Sequence, residues 1–348
     1  MKAQSSSTRN NWDGDFSLLI EQLSSRAKQP SPRLGESPKE ALYQENKLSL
    51  FHYKPHPVKQ KSTPILIVYA LVNRPDIADL EPKRSLVQRL LEQGYPVYLI
   101  DWGYPDSTDC QTSLNDYING YLHRCVQHVK RDTKVKKIDL LGICQGGVFS
   151  LCYSALHLED IRKLITLVTP VDFHSADNLL SKWTSETNMK RIFNASGNIP
   201  SHTITQLFKT LKPYQLNREK YRQLSNLVKS PNQLNTFLRM EQWLNNGPDL
   251  AGKAAIEFAE CFYQENGFIK HGLRIGGKSV SLKNISCPVL NVYATQDHIV
   301  PPSSSKALRK QLKKNLYHEQ QLESGHIGAF TSLKTQKVLI SAIQEWLD

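Results

Sequence analysis

The sequence predicts an α/β fold: a mostly parallel sheet covered by helices on both faces, with a large helical insertion. Three observations carry this reading. Short β-branched runs alternate with helical patterns between residues 64 and 168, which is the rhythm of parallel strands joined by crossover helices. A long segment, about 172–286, then breaks that rhythm. Finally, Gly142-Ile143-Cys144-Gln145-Gly146-Gly147 stands between an apolar run and a helical one. A Gly-x-nucleophile-x-Gly turn from strand to helix is the nucleophile elbow of α/β-hydrolases, here with cysteine where that motif has serine.

The elements follow in order. Residues 1–40 form a polar arm rich in Ser, Pro and Asn. Within it Phe16, Leu19, Ile20 and Leu23 recur at helical spacing, so the arm carries either one short amphipathic docking helix or no fixed structure. The first part of the core, 41–171, starts its regular structure with the alternating run Lys47–Tyr53. Pro64–Tyr69 reads as a buried strand, and a helix over Lys83–Glu92 stops at Gly94. Tyr95–Ile100 is the next strand and runs into Asp101-Trp102-Gly103. Ser113 caps a long helix that presents Leu114, Tyr117, Ile118, Tyr121, Leu122, Cys125 and Val129 on one face. Lys137–Leu141 leads into the elbow and its helix, and Lys163–Val168 is a further strand.

The insertion, 172–286, is polar and aromatic, with Trp183, Phe193, Phe208, Tyr214, Tyr221, Phe237, Trp243, Phe258, Phe262, Tyr263 and Phe268. It is too long for a crossover connection. It follows the strand after the elbow, so it reads as a cap at the sheet edge where open α/β sheets bind ligands. The second part of the core, 287–348, supplies a strand over Pro288–Ala294 and a basic helix from about Ser303 to Lys314. A short strand over Asn315–Gln321 and a closing helix over Leu333–Leu347 complete it.

Composition narrows the function. The formal charge is +12, but the lysines and arginines are scattered and no zinc-finger or RNA-binding signature accompanies them. Nucleic acid is therefore not the expected partner. A basic surface suits a polyphosphorylated substrate, an acidic chain or an anionic particle, or is merely solvated. Cysteines stand at 110, 125, 144, 152, 261 and 287, with no Cys-x-x-Cys pair and no metal-ligand spacing. Met1–Ser7 lack the apolar middle of a secretory signal, and no run approaches the ~20 apolar residues of a membrane span. The expectation is a reduced, cytoplasmic protein without a transmembrane segment, metal or prosthetic group.

Three residues converge on catalysis. Cys144 lies at the elbow, Asp297 follows the strand 288–294, and His326 follows the last strand within Ser324-Gly325-His326-Ile327-Gly328. Nucleophile, acid and histidine thus occur in α/β-hydrolase order. His326 is the base for the Cys144 thiol, and Asp297 orients and charges His326. The backbone N–H of Gln145 and a second N–H from Leu71 or Val72 would hold the developing oxyanion. Asp101, Trp102 and His298 are possible pocket residues, each with an equally good structural reading. Cys152, two helical turns past Cys144, reads as core. A cysteine nucleophile makes a thioester that remains a good acyl donor, so the site suggests an acyl group that is passed on.

At this point the chain resembles the polyhydroxyalkanoate synthases, specifically the short two-component kind. The resemblance rests on Pro64-Ile65-Leu66-Ile67-Val68-Tyr69-Ala70-Leu71-Val72-Asn73-Arg74-Pro75 and on Val97-Tyr98-Leu99-Ile100-Asp101-Trp102-Gly103-Tyr104-Pro105. It continues through Asp116-Tyr117-Ile118-Asn119-Gly120-Tyr121, the Gly142–Gly147 box, and Asp297-His298 with Val300-Pro301-Pro302. Gly325-His326-Ile327-Gly328 completes it, and the likeness runs from about residue 38 to the end. It implies that Cys144 carries a growing polyester as a thioester, that His326 is the base, and that Asp297 helps activate the hydroxyl of the incoming group. It implies (R)-3-hydroxyacyl-coenzyme A as substrate, chiefly 3-hydroxybutyryl-CoA, with CoA as product and no separate cofactor. It further implies a second, non-catalytic synthase subunit, homo-oligomerisation, and residence on polyhydroxyalkanoate granules in the cytoplasm. The isoleucine-containing box resembles the class III form more than class IV.

Two other functions fit parts of this pattern. A cysteine-dependent hydrolase of small esters or lactones needs the same elbow and triad. A granule-associated structural protein needs only the fold.

Overall fold

The computed structural model describes residues 32–186, 197–211, 230–270 and 272–348. Its strands are β1 (Lys39–Glu45), β2 (Leu48–Tyr53), β3 (Ile65–Val68), β4 (Val97–Asp101), β5 (Ile138–Ile143), β6 (Ile161–Leu167), β7 (Arg274–Ile275), β8 (Lys278–Ser279), β9 (Val289–Ala294) and β10 (Tyr317–Leu322). One eight-stranded sheet has the order β1-β2-β4-β3-β5-β6-β9-β10, and β7 and β8 make a separate hairpin. From β4 to β10 every pairing is parallel, while β1 and β2 close one edge with antiparallel pairings.

The central strands are buried on both faces, which explains their largely apolar sequence. Their side chains still divide by alternation. Leu66, Val68, Leu140 and Leu164 pack on one side with Val148, Phe149 and Cys152 of the elbow helix, Gln145–Leu156. Ile65, Ile67, Leu141, Ile143 and Ile165 pack on the other with Leu86, Leu90, Leu339 and Ile343.

β1 was not expected from the sequence, which placed the start of regular structure at Lys47 and assigned residues 39 and 40 to the arm. Its sequence, KEALYQE, is mostly polar because it is a half-covered edge strand. Just before it, the Ser37 N–H and hydroxyl both donate to Asp79, at 2.8 Å each, anchoring the chain to the loop after β3. The amphipathic pattern at Phe16–Leu23 lies outside the described residues, as do Phe193, Tyr214 and Tyr221.

Three helix expectations are corrected. The helix expected from Lys83 begins after Ser85, whose hydroxyl accepts the Gln88 N–H at 2.9 Å; Pro82–Arg84 is a separate 3₁₀ turn. The long helix is capped reciprocally by Ser113 and Asp116, as the sequence predicted at Ser113, but it widens into a π segment over Asp116–Leu122 before the α-helix His123–Thr133. The basic helix expected over 303–314 is two short ones, Pro302–Lys306 and Leu308–Gln311.

The insertion leaves the sheet after β6 and returns at β9, the strand beside it. Its described helices are Leu179–Glu186, Ser201–Leu211, Pro231–Asn245, Gly252–Phe258 with a π segment over Ala259–Gln264, and Gly267–Lys270. Aromatic packing ties it to the core. Phe258 meets Phe262 at 4.7 Å between ring centroids and Phe149 of the elbow helix at 6.2 Å, and Phe173 meets Phe262 at 5.4 Å. No described helix is long and apolar enough to cross a membrane.

Candidate active site

Cys144 sits at φ +55°, ψ −122°, a backbone state that L-residues rarely adopt. Neighbouring structure holds it there. Its N–H donates to the Leu167 carbonyl at the end of β6, and its own carbonyl accepts the Gly147 N–H, both at 2.9 Å. The turn also needs close approach. A Cβ on Gly146 would lie 2.0 Å from the Val68 carbonyl oxygen, so the elbow presses directly on the end of β3. Gly146→Ala is accordingly expected to lose at least about 2 kcal/mol of stability, read as a fall in denaturation midpoint.

Asp297 and His326 occupy the loops after β9 and β10, and those loops are stitched together. The Thr295 N–H donates to the Leu322 carbonyl and the Gln296 N–H to the Ser324 carbonyl, each at 2.9 Å. Asp297 Oδ2 and His326 Nδ1 are 2.6 Å apart, with both side chains buried. Asp297 Oδ1 accepts the N–H groups of Ile299 and Val300, each at 2.9 Å. Both carboxylate oxygens are therefore engaged, one by the loop and one by the imidazole. Cys144 stands beside His326, near enough for its charge to act on the imidazole, so the structure brings the three residues together.

Burial by itself would lower the His326 pKa. The nearby charges of Asp297 and Cys144, with the hydrogen bond to Asp297, outweigh it and push the group up to about 10. The imidazolium thus contributes stability fully below its ordinary value of 6.5, and that contribution is lost as pH rises through about 10. In a Cys144→Ala variant the part due to Cys144 disappears. Its His326 ring should titrate clearly below that of the native chain, followed by NMR of the imidazole; an unchanged titration would mean that Asp297 alone sets it.

The second oxyanion donor needs qualification. The Leu71 N–H faces the elbow, but it donates to the side-chain Oε1 of Gln145 at 2.9 Å. Val72 is partly buried and packs against both core clusters.

Asp101 and Trp102 are both tied to the loop after β3. Asp101 Oδ2 pairs with Arg74 at 3.1 Å, and Oδ1 accepts the Gly103 N–H at 2.9 Å. Trp102 is a core residue: its indole N–H donates to the Tyr69 carbonyl at 3.0 Å, and its ring packs edge-on to Tyr117 and Phe149. Both brace the loop after β3. His298 is half-buried beside Asp297.

Three residues near the site escaped the sequence reading. Tyr69 and Tyr263 both have phenols raised first by burial and then by the charge of Cys144, so both lie within its electrostatic reach. Tyr69 comes from the end of β3 and Tyr263 from the insertion. Tyr69 was signalled only by its place just before Leu71, and Tyr263 looked like any other aromatic of the insertion. Arg74 is fixed by Asp76 at 2.9 Å and by Asp101, and its carbonyl accepts the indole N–H of Trp243 at 2.8 Å. The insertion thereby grips the same loop.

Elsewhere, His123, His157 and Asp160 bring ligand atoms within 4.8 Å of one another. Asp160, however, is occupied by the Lys130 ammonium at 2.5 Å and the Tyr153 hydroxyl at 2.6 Å, so the donor set does not suit a cation. A basic cleft of about 500 Å³, with Lys130, Arg131, Lys136 and Lys137, lies near the N-terminal end of β5, away from the edge that carries Cys144.

Comparison with known proteins agrees with this architecture. Residues 63–333 match the alpha/beta hydrolase fold, and residues 13–90 match the N-terminus of poly-beta-hydroxybutyrate polymerase (PhaC). Solved structures with the same fold include a thermophilic esterase from Thermogutta terrifontis (TM-score 0.52, 15% identity, covering 86% of this chain and 93% of that one). Another is a monoacylglycerol lipase from Paleococcus ferrophilus (TM-score 0.51, 16% identity, covering 86% and 98%). At such identities they speak for the fold alone. Much closer are proteins named poly(3-hydroxyalkanoate) polymerase subunit PhaC. That of Thiocystis violacea is 47% identical over 90% of this chain and 89% of its own, and that of Allochromatium vinosum is 47% identical over the same shares. That of Synechocystis is 42% identical over 90% and 85%. With an elbow, a buried Asp–His pair and likeness of this extent, the chain belongs to the poly(3-hydroxyalkanoate) polymerase PhaC family, built on the α/β-hydrolase fold.

Proposed function

We propose that this chain polymerises (R)-3-hydroxyacyl-CoA, chiefly 3-hydroxybutyryl-CoA, into polyester through a thioester on Cys144. The observation that carries the reading is the buried Asp297–His326 pair at 2.6 Å, within the field of the elbow residue Cys144, in a chain of the polymerase family.

The chemistry balances in two steps. His326 takes the Cys144 proton, and the thiolate attacks the thioester carbonyl carbon. The carbonyl electron pair becomes an oxyanion facing the Gln145 and Leu71 N–H groups. The bond to the CoA sulfur then breaks, and the proton on His326 leaves with CoA. Thioester exchange is nearly isoenergetic, so the acyl group stays activated. In the second step a hydroxyl of another acyl unit gives its proton to His326 and attacks the acyl-cysteine. An ester bond forms and a carbon–sulfur bond breaks. Because Asp297 Oδ1 is held by two backbone N–H groups and Oδ2 by His326, Asp297 acts on that hydroxyl through His326. Water must be kept from the acyl-cysteine, and the aromatic insertion, whose buried Tyr263 lies within the field of the Cys144 charge, is suited to excluding it.

The same reading assigns the chain a second, non-catalytic subunit, homo-oligomerisation and a place on cytoplasmic polyester granules. The test is incubation with (R)-3-hydroxybutyryl-CoA, with and without the second subunit, measuring free CoA, enzyme-bound acyl groups and polymer, with sedimentation in parallel. The expected result is polymer in step with CoA release, faster when the subunits associate. Free 3-hydroxybutyrate as sole product would make the chain a hydrolase. Full activity without association would remove the two-component part.

A further inference from the structure

We propose that the side chain of Gln145 is a latch on the oxyanion hole: its carbonyl occupies the Leu71 N–H until a substrate carbonyl displaces it. This deepens the acyl-transfer reading of the site and rests on it.

The observation is the hydrogen bond from the Leu71 N–H to Gln145 Oε1 at 2.9 Å. Gln145 opens the elbow helix directly after the nucleophile. Its backbone N–H and the Leu71 N–H are the donor pair on which an oxyanion at Cys144 would rest. An amide carbonyl oxygen on one of them stands where that oxyanion's partner must be free. One N–H cannot serve both acceptors at full strength, so productive binding requires the side chain to swing away. Gln145 is half-buried, which leaves its side chain room to do so.

The rival role for this bond is a brace that holds the loop after β3 in place. That loop is already held without it. Trp102 donates to the Tyr69 carbonyl at 3.0 Å, Trp243 donates to the Arg74 carbonyl at 2.8 Å, and Arg74 is pinned by Asp76 and Asp101. The Gly146 backbone also abuts Val68 and Tyr69. With anchors on both sides of Leu71, the Gln145 contact is the part that can open.

The test uses the full chain with Gln145→Met, which keeps length and volume but removes the acceptor, and Gln145→Ala. The probe is a trifluoromethyl ketone analogue of the 3-hydroxybutyryl group. Cys144 Sγ adds to its carbonyl carbon, a carbon–sulfur bond forms, the π pair becomes an oxyanion, and the thiol proton passes to His326. Removing the latch should tighten adduct formation about 3- to 10-fold, the factor that one net amide hydrogen bond is worth. It should raise kcat/KM for the CoA thioester by a similar factor through KM. Gln145→Glu, a stronger acceptor with a charge that repels the oxyanion, should weaken the adduct. A Gln145→Met chain that binds the ketone no better than the native one overturns the latch, and if that variant does not fold, Gln145→Ala decides in the same way. A brace would instead show as weaker adduct and lower kcat. The ketone requires only an activated cysteine, so this result is independent of whether the native chain makes polymer.

Discussion

Cys144→Ala is expected to abolish covalent acylation and to reduce CoA release by a factor of at least about 10⁴, because no other group at the elbow can form the acyl bond. The fold should survive. Alanine keeps a Cβ at the same strained φ, and the two backbone hydrogen bonds that hold the turn do not involve the thiol. Rapid-quench trapping with labelled substrate, read by mass shift of the intact chain, checks the loss; denaturation checks the fold. Cys144→Gly should be equally inactive yet more stable than Cys144→Ala by about 1 kcal/mol, since glycine adopts positive φ without strain. Cys144→Ser should keep the shape and lose much of the activity, because an alcohol is harder to deprotonate and its ester is a poorer acyl donor. Labelled acyl groups on Cys144→Ala, at native levels, would place the nucleophile elsewhere.

Asp297→Asn is expected to lower first acylation and elongation together, by about 10³- to 10⁴-fold. Asparagine can accept the Ile299 and Val300 N–H groups as the carboxylate does. Its amide NH₂ then faces His326 Nδ1 and favours the tautomer with the proton toward Cys144, which cannot act as a base. It also removes the charge that most favours the imidazolium. His326→Gln should cost at least as much in both steps. A single-turnover experiment that follows acylation and chain growth separately distinguishes the alternatives. Retained acylation with lost elongation would mean that Asp297 meets the incoming hydroxyl directly, as the family resemblance by itself allowed.

Elements and site were legible to different depths. β3, β5 and β9 were readable because strands covered on both faces are largely apolar, with a buried Asp139 and Asn291 as the polar exceptions. β1 was not, because an edge strand with one half-covered face carries charge and looks like a linker. The π segment over Asp116–Leu122 was equally hidden: its side chains follow a helical period, and only the backbone reveals the extra width. Trp102 illustrates the limit at the site. Its place after a strand C-terminus suggested a pocket wall, and only the fold shows that its indole N–H donates to the Tyr69 carbonyl.

By itself the sequence determined the parallel α/β sheet, the tight turn at Cys144, and the order of Cys144, Asp297 and His326, because each follows from local chemistry: alternation, glycine spacing and a residue type after a strand. The tertiary structure alone decided what those groups touch. It engaged both oxygens of Asp297, brought Trp243 from the insertion onto the loop after β3, and set Gln145 Oε1 against the Leu71 N–H. These contacts join residues tens to hundreds of positions apart, so they exist only once the sheet has brought the strand ends together.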